Sequence, residues 1–258
     1  MCLLAFDFNS HSEYSVVFGG NRDEFYGRPT ADAAFWDDAP HVLAGRDLKA
    51  GGTWMGVTRS GHWAVVTNVR DTEARIEDAP SRGQLAAQYL LDEPDPETYR
   101  ATVQEEADRY NGFNLLLGTP TTLQYVSNRP SRAHPVEPGV HGLSNAHLDS
   151  DWPKVTRAKS QLRSLLQQDT IDPTDILDLL HDRRRAPAEA LPDTGVNQET
   201  ERFLSPIFIE GEDYGTRAST VLLIDRTGTV TFVERTYDEG GSTGTRRFTF
   251  ETTSVPHS

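Results

Sequence analysis

A single cysteine, Cys2, stands in 258 residues, which excludes an internal disulfide and suits a reducing, cytoplasmic setting. Lysine is almost as scarce, confined to Lys49, Lys154 and Lys159, while acidic residues outnumber basic ones 39 to 25 for a formal net charge of −14. A chain so short of positive charge disfavours nucleic acid and anionic membrane as partners. No apolar run approaches the ~20 residues that span a bilayer, and the opening run Met1–Phe8 has no basic leader. Lipidation motifs, internal repeats and hinge-like composition breaks are missing too, so residues 1–258 are expected to form one domain with a small-molecule partner. The oligomeric state stays open.

The first thirty residues organise the rest. Leu3–Phe8 reads as a buried strand returning through a turn at Asn9–Glu13 to the run Val16–Phe18. Cys2 therefore opens a core strand. If Met1 is removed, a thiol and a free α-amine occupy one residue, and an amine of pKa about 7.7–8.0 can serve as the base that makes the thiolate. Gly19-Gly20 then bends the chain into Asn21-Arg22-Asp23-Glu24, which the hairpin returns to the neighbourhood of Cys2. Asp23 could hold the protonated amine, and Arg22 or Asn21 a substrate or developing anion. If the strand continues, alternation points Asn21 and Asp23 toward Cys2, with Arg22 and Glu24 away. Blander readings compete: a lone cysteine is usually a small buried hydrophobe, and a charged run after a strand is usually a solvated turn.

Further along, residues 30–50 read as a loop, followed by a hairpin of Trp54–Thr58 and His62–Asn68. A capping box at Ser81 and Gln84 predicts one helix, and Asp95-Pro96 another to about Tyr110. Strands are expected at Phe113–Gly118, Thr122–Val126 and Val140–Ser144, the last presenting Asn145, with a loop over 130–139. His141 and His147 flank Asn145 at a spacing that suits no standard zinc pattern, and no Cys-x-x-Cys-His haem attachment occurs, so neither metal nor cofactor is expected. Asp149 or Asp151 should cap a helix carrying Trp152, Val155, Ala158 and Leu162, and Asp172-Pro173 starts another. The polar stretch 186–204 reads as a lid or insertion before strands at Ser205–Ile209, Ser219–Asp225, Thr229–Tyr237 and Arg246–Thr252, with Arg217 just ahead of the second. Strands, central helices and strands again predict an α+β fold.

Met-Cys-Leu-Leu at the terminus and Gly19–Thr30 resemble the NRDE family, also called the transport and Golgi organisation protein family, named for Asn21-Arg22-Asp23-Glu24. The likeness continues through Gly45-Arg46-Asp47, Gly51–Gly56, Thr67–Arg70, Ser81-Arg82-Gly83, Asn111–Leu115, Gly142–Asn145 and Tyr214–Arg217. A wider resemblance is to N-terminal nucleophile (Ntn) amidohydrolases of the bile-salt hydrolase and penicillin V acylase type, which also begin Met-Cys and place Asn-x-Asp after the next strand. The arginine those enzymes carry just before that motif is Gly20 here, with Arg22 inside it. The resemblance implies a four-layer αββα sandwich, two antiparallel sheets between helical layers, and an amide or thioester hydrolase or acyltransferase. Its catalytic set would be Cys2 as nucleophile, Asp23 orienting the amine, Asn68 and Asn145 as oxyanion donors, and Arg217 near the thiolate. Asn21, Arg22, Glu24, Arg28 and Trp54 would bind substrate. It also implies an alternative, a non-catalytic carrier of haem or of an acyl chain or acyl-CoA.

Overall fold

The computed structural model describes residues 2–70 and 76–253; the expected removal of Met1 concerns a residue outside them. Strands β1 (Cys2–Phe8), β2 (Tyr14–Phe25), β3 (Thr30–Trp36), β4 (Ala39–Asp47), β5 (Met55–Thr58) and β6 (Trp63–Asn68) come first. Helices α1 (Gly83–Asp92) and α2 (Pro96–Glu106) follow, then β7 (Phe113–Gly118), β8 (Leu123–Asn128), β9 (Ser131–Pro135) and β10 (Gly139–Leu143). Helices α3 (Pro153–Leu165), α4 (Pro173–Leu180) and the short α5 (Gln198–Phe203) precede β11 (Tyr214–Asp225), β12 (Thr229–Asp238) and β13 (Gly241–Glu251).

The strands form two antiparallel sheets, ordered β10-β1-β2-β11-β12-β13 and β3-β4-β5-β6-β7-β8-β9. The opening run is apolar throughout because β1 is covered on both faces. Leu4, Phe6 and Phe8 enter the core between the sheets with Trp63, Leu116 and Phe232, whereas Leu3 and Ala5 pack against Val155, Ala158 and Leu180 of α3 and α4. On the far side, Leu85, Tyr89 and Leu90 of α1 and Val103 of α2 cover Val66, Leu115 and Leu117. The result is the α+β αββα sandwich, each buried Leu or Phe contributing roughly 1.5–3 kcal/mol of burial. Among the described residues no helix is long and apolar enough to cross a membrane.

Six expectations need correcting. Residues 30–50 are not a loop: β3 and β4 pair there, through bulges between Ala31 and Ala34 and between Phe35 and Trp36 that break the alternation a strand is recognised by. Gly19-Gly20 does not bend the chain, since β2 runs straight through it. Ser81 does not cap α1, whose N-cap is Arg82 with no side-chain cap bond. Neither Asp149 nor Asp151 caps α3, which starts behind Trp152 at Pro153. Ser205–Ile209 is irregular, and part of 130–139 is the edge strand β9. By contrast Asp95 and Asp172 do cap their helices, accepting from the N–H groups of Thr98 and Thr174.

Candidate active site

β1 begins at Cys2, whose register partner on β2 is Arg22. Residues opposed in an antiparallel pair share a face, so the thiol lies on the side of Arg22, Leu4, Phe18 and Gly20, between the sheets. This reverses the expected alternation. Asn21 and Asp23 do point together, but toward the helical layer; Arg22 is the motif side chain on the thiol's face. Asp23 stays beside Cys2 nonetheless, because the register carries the beginning of β1 toward it, and its backbone N–H donates to the Cys2 sulfur. A cleft of about 130 Å3 opens here, walled by Cys2, Arg22, Asp23, Glu24, Trp54 and Asn68, with Arg28 and Asp47 at its edge.

Burial pushes the largely buried Cys2 thiol above its ordinary pKa; the Asp23 carboxylate adds to this, while the Asp23 N–H and the Arg22 guanidinium pull it down. Arg22 is itself buried and lies 4.4 Å over the Trp54 ring, with Glu24 3.9 Å from its guanidinium. Burial lowers its pKa, and the Glu24 carboxylate and Cys2 resist that shift. Gly20 has no room for a side chain, since a Cβ would meet Leu4 and Phe18 at 2.8 Å. The cation on this face of β2 therefore sits two residues further along, at Arg22. Arg28 pairs with Asp47 at 2.7 Å and with Glu24 at 3.7 Å, closing one side of the cleft.

Asp23 is buried, and burial raises its pKa; Lys154 and the Thr216 hydroxyl, which donates to Oδ1 at 2.8 Å, draw it back. Thr216 faces Asp23 because of a β-bulge in β11: Thr216 pairs with Asp23 and Ala218 with Arg22, leaving Arg217 as the extra residue. That bulge also corrects the expectation for Arg217. Its guanidinium donates to the carbonyls of Phe25, Tyr26 and Tyr237, at 3.0, 2.6 and 3.2 Å, clamping the end of β2 instead of lining the thiol cleft. The Asn21 amide is likewise engaged within the fold: it donates to the Leu180 and Ile207 carbonyls at 2.8 and 2.9 Å and accepts from Ser219.

Asn68 ends β6 and reaches the cleft. Asn145 lies one layer behind, 1% exposed, with Nδ2 donating to the Asn68 carbonyl at 2.7 Å. Ser144 Oγ donates to the Cys2 carbonyl at 2.8 Å, and Thr67 Oγ1 to the Ser144 carbonyl at the same distance. The sandwich's two sheets are thus stitched together beneath the thiol by short polar links that hold Asn68 and Cys2 in fixed relation.

The residue missed in the sequence is Lys154. It is 2% exposed, donates to the Leu204 carbonyl at 3.0 Å, and burial depresses its pKa to about 8 against the pull of Asp23. One signal was available: Lys154 falls on the apolar stripe of α3 with Val155, Ala158 and Leu162, an odd place for one of three lysines. Nearby, Arg70 pairs with Glu201 of α5 at 2.5 Å, their side chains 8% and 4% exposed, fastening part of the segment 186–204 over this end of the sandwich. Nothing in the spacing of residues 70 and 201 announces that pair.

A profile of the family described as Transport and Golgi organisation 2 matches residues 1–239. The chain is 33% identical over 258 residues to the mouse Transport and Golgi organization 2 homolog, covering 91% of this chain and 92% of that protein. It is 36% identical to the Bos taurus homolog over 257 residues, with the same coverage of both chains, and 27% identical to the Drosophila melanogaster protein, covering 92% of each. Among solved structures it resembles the Caenorhabditis elegans ortholog of N-acylethanolamine-hydrolyzing acid amidase, with TM-score 0.53 and 12% identity over 86% of this chain and 92% of that one. A mutant conjugated bile acid hydrolase from Clostridium perfringens is similar at TM-score 0.52 and 11% identity, covering 100% and 99%. The fold is therefore that of the Ntn hydrolases.

Proposed function

This chain belongs to the Transport and Golgi organisation 2 family on an Ntn-hydrolase fold, and from that premise we propose that it is a cysteine amidohydrolase or acyltransferase acting on a small amide or thioester. The observation that carries this reading is the placement of Cys2 at the head of β1, opposite Arg22 and beside buried Asp23, in a cleft that Asn68 also reaches. Once Met1 is removed, the α-amine of Cys2 takes the thiol proton, and the ionised Asp23 holds the resulting ammonium. The thiolate attacks the substrate carbonyl. Negative charge moves to the carbonyl oxygen, where the Asn68 amide donates, with Asn145 fixing Asn68 from behind. The ammonium then returns its proton to the leaving amine or thiolate as the carbon–nitrogen or carbon–sulfur bond breaks. Water, or a second nucleophile in the transferase case, releases the acyl group from Cys2. Arg22, rigidified on Trp54, supplies the positive charge on the thiol's face that the hydrolases place at the position of Gly20 here.

A carrier of haem or an acyl chain would need a long apolar groove. The cleft at Cys2 is small and walled by charged and polar groups, which favours a compact polar substrate. Its single cysteine suits a reducing cytoplasm. The test is intact-mass analysis after incubation with a panel of acyl-type electrophiles. One acyl adduct per chain, on a terminus that begins at Cys2, supports the reading; a retained Met1 in active protein, or reversible ligand binding untouched by Cys2→Ala, overturns it.

A further inference from the structure

Behind the wall that Arg22 and Trp54 make for the thiol cleft lies a second cavity, of about 190 Å3, bounded by β2, β3, β11 and β12. Three buried polar atoms without a hydrogen-bond partner among the described residues belong to its lining side chains: Arg22 Nη1, Glu234 Oε2 and the Tyr237 hydroxyl, Tyr237 being shared with a neighbouring cavity at His181 and Phe208. Arg22 is 7% exposed and Glu234 1%. The second oxygen of Glu234 is already used, accepting from the Ala33 N–H at 2.6 Å. The other cation of the cavity, Arg217, is spent on backbone carbonyls, and Asp32 is paired with Arg246 at 3.3 Å. Buried polar atoms are rarely left unsatisfied. Here a guanidinium and a carboxylate on the lining of one cavity each keep a free atom, with the Tyr237 hydroxyl as a third, in a space much larger than the ~15 Å3 that one water needs.

We propose that this cavity is a recognition subsite for a carboxamide group of the substrate, whose C=O accepts from Arg22 while its N–H donates to Glu234. This rests on reading Cys2 as the nucleophile, since Arg22 and Trp54 are shared by both cavities and so place the carboxamide on the far side of that wall from the reacting carbonyl. A carboxylate is the wrong shape of charge: it would satisfy Arg22 and face Glu234 with like charge. Charge on Glu234 is set by burial first, which raises its pKa to about 7, aided by Asp32 and opposed by the Ala33 N–H, Arg22 and Arg246. Above neutral pH the cavity therefore selects amide over acid; below it, the protonated carboxyl becomes a donor and an acid fits.

The test uses two fragments, N-methylacetamide and acetate, titrated against the full chain at pH 8 and at pH 6 with chemical-shift or tryptophan-fluorescence readout. At pH 8 N-methylacetamide should saturate at about ten millimolar or tighter, a fragment's range, and acetate should bind at least tenfold more weakly; at pH 6 the gap should close. Glu234→Gln keeps the size and the bond from Ala33 but turns the free oxygen into an N–H donor. It should reverse the preference at pH 8, acetate binding tenfold or more above N-methylacetamide, with an unchanged melting temperature confirming the fold. Absence of saturable amide binding, or a preference unmoved by Glu234→Gln, overturns the subsite. Both fragments are also titrated against Cys2→Ala. Amide binding that survives there while no electrophile labels the wild-type Cys2 would leave the subsite standing and remove the covalent reading instead.

Discussion

Residue 2 is where chemistry and packing are hardest to separate, because a thiol and a methyl group fill similar space in a strand. Cys2→Ser changes little volume at the head of β1, so thermal stability should hold, while acylation falls by several orders of magnitude; unchanged turnover in this variant would contradict covalent catalysis. Lys154 gives a second residue-scale prediction. Its ammonium is one of the influences that draw the Asp23 carboxyl down against burial. Lys154→Met keeps the side chain's bulk and removes that charge, so Asp23 should hold its proton to higher pH, and the acid limb of the Cys2 labelling profile should move alkaline by about one unit. A profile that keeps its midpoint would reduce Lys154 to a packing residue. That the Asn21–Glu24 motif returns to Cys2 could be read from sequence, because both lie on one hairpin, but the face could not: the register sets Arg22, not Asp23, opposite the thiol. Lys154 could not be read either, because it arrives from a helix some 130 positions away and its partner is a backbone carbonyl, Leu204, that any residue could offer.

At the scale of elements, periodicity located strands that pair regularly and failed where pairing is irregular. β5, β6, β7 and β8 pair without a slip and their runs alternate or stay apolar, so their bounds were legible. β3 and β4 are bulged, and the bulge that projects Arg217 away from the thiol is equally invisible to a period-two reading. The connection from β10 to α3 was misread for a related reason: Asp149 looked like a cap but serves as a clip. Its Oδ2 meets His141 Nδ1 at 2.7 Å and its Oδ1 meets Lys159 at 2.5 Å and the Gly142 N–H at 3.0 Å. Burial opposes the charge, but those bonds hold Asp149 down to about 2. A carboxylate depressed on folding contributes its stability above the unfolded value near 3.8 and loses it as pH falls through about 2. The paired His141, raised by Asp149 against burial, contributes below its unfolded value near 6.5 and loses it as pH climbs past the raised one. Asp149 is partly exposed, so solvent screening limits the clip to about 1 kcal/mol. Asp149→Asn, which suits the left-handed φ of 58° there, should lower the melting temperature by about 2–4 °C at pH 5–6. Scans repeated toward pH 2 should show the two proteins converge; a constant gap would mean the aspartate acts by shape alone.

For the molecule as a whole, the sandwich matters because its two sheets supply different halves of the site. Cys2, Arg22 and Asp23 come from one sheet, Asn68 from the other, and Trp54 enters from the link between β4 and β5 to carry Arg22 on its ring. The α+β class followed from the order of strands and helices and the layers from the family resemblance, but the side chains that meet between the sheets did not, and one of those contacts depends on Gly45. A Cβ at Gly45 would collide with the Trp54 ring, so a glycine on β4 fixes the plane on which a guanidinium from the opposite sheet rests. Gly45→Ala should push Trp54 out of that plane, costing about 1–3 kcal/mol of stability as overpacking does. Arg22 would lose its stacking support, and Cys2 labelling should slow by about tenfold, a loss consistent with roughly 1.4 kcal/mol of lost positioning. Gly244→Ala, where a Cβ meets nothing within 4 Å, is the matched control and should alter neither quantity. The decisive comparison is labelling rate measured well below both melting temperatures, where residual unfolding does not contribute. A Gly45→Ala protein that is less stable yet labels at the wild-type rate would show that the thiol's environment is built within one sheet, and that the second sheet contributes Asn68 without helping to place Arg22.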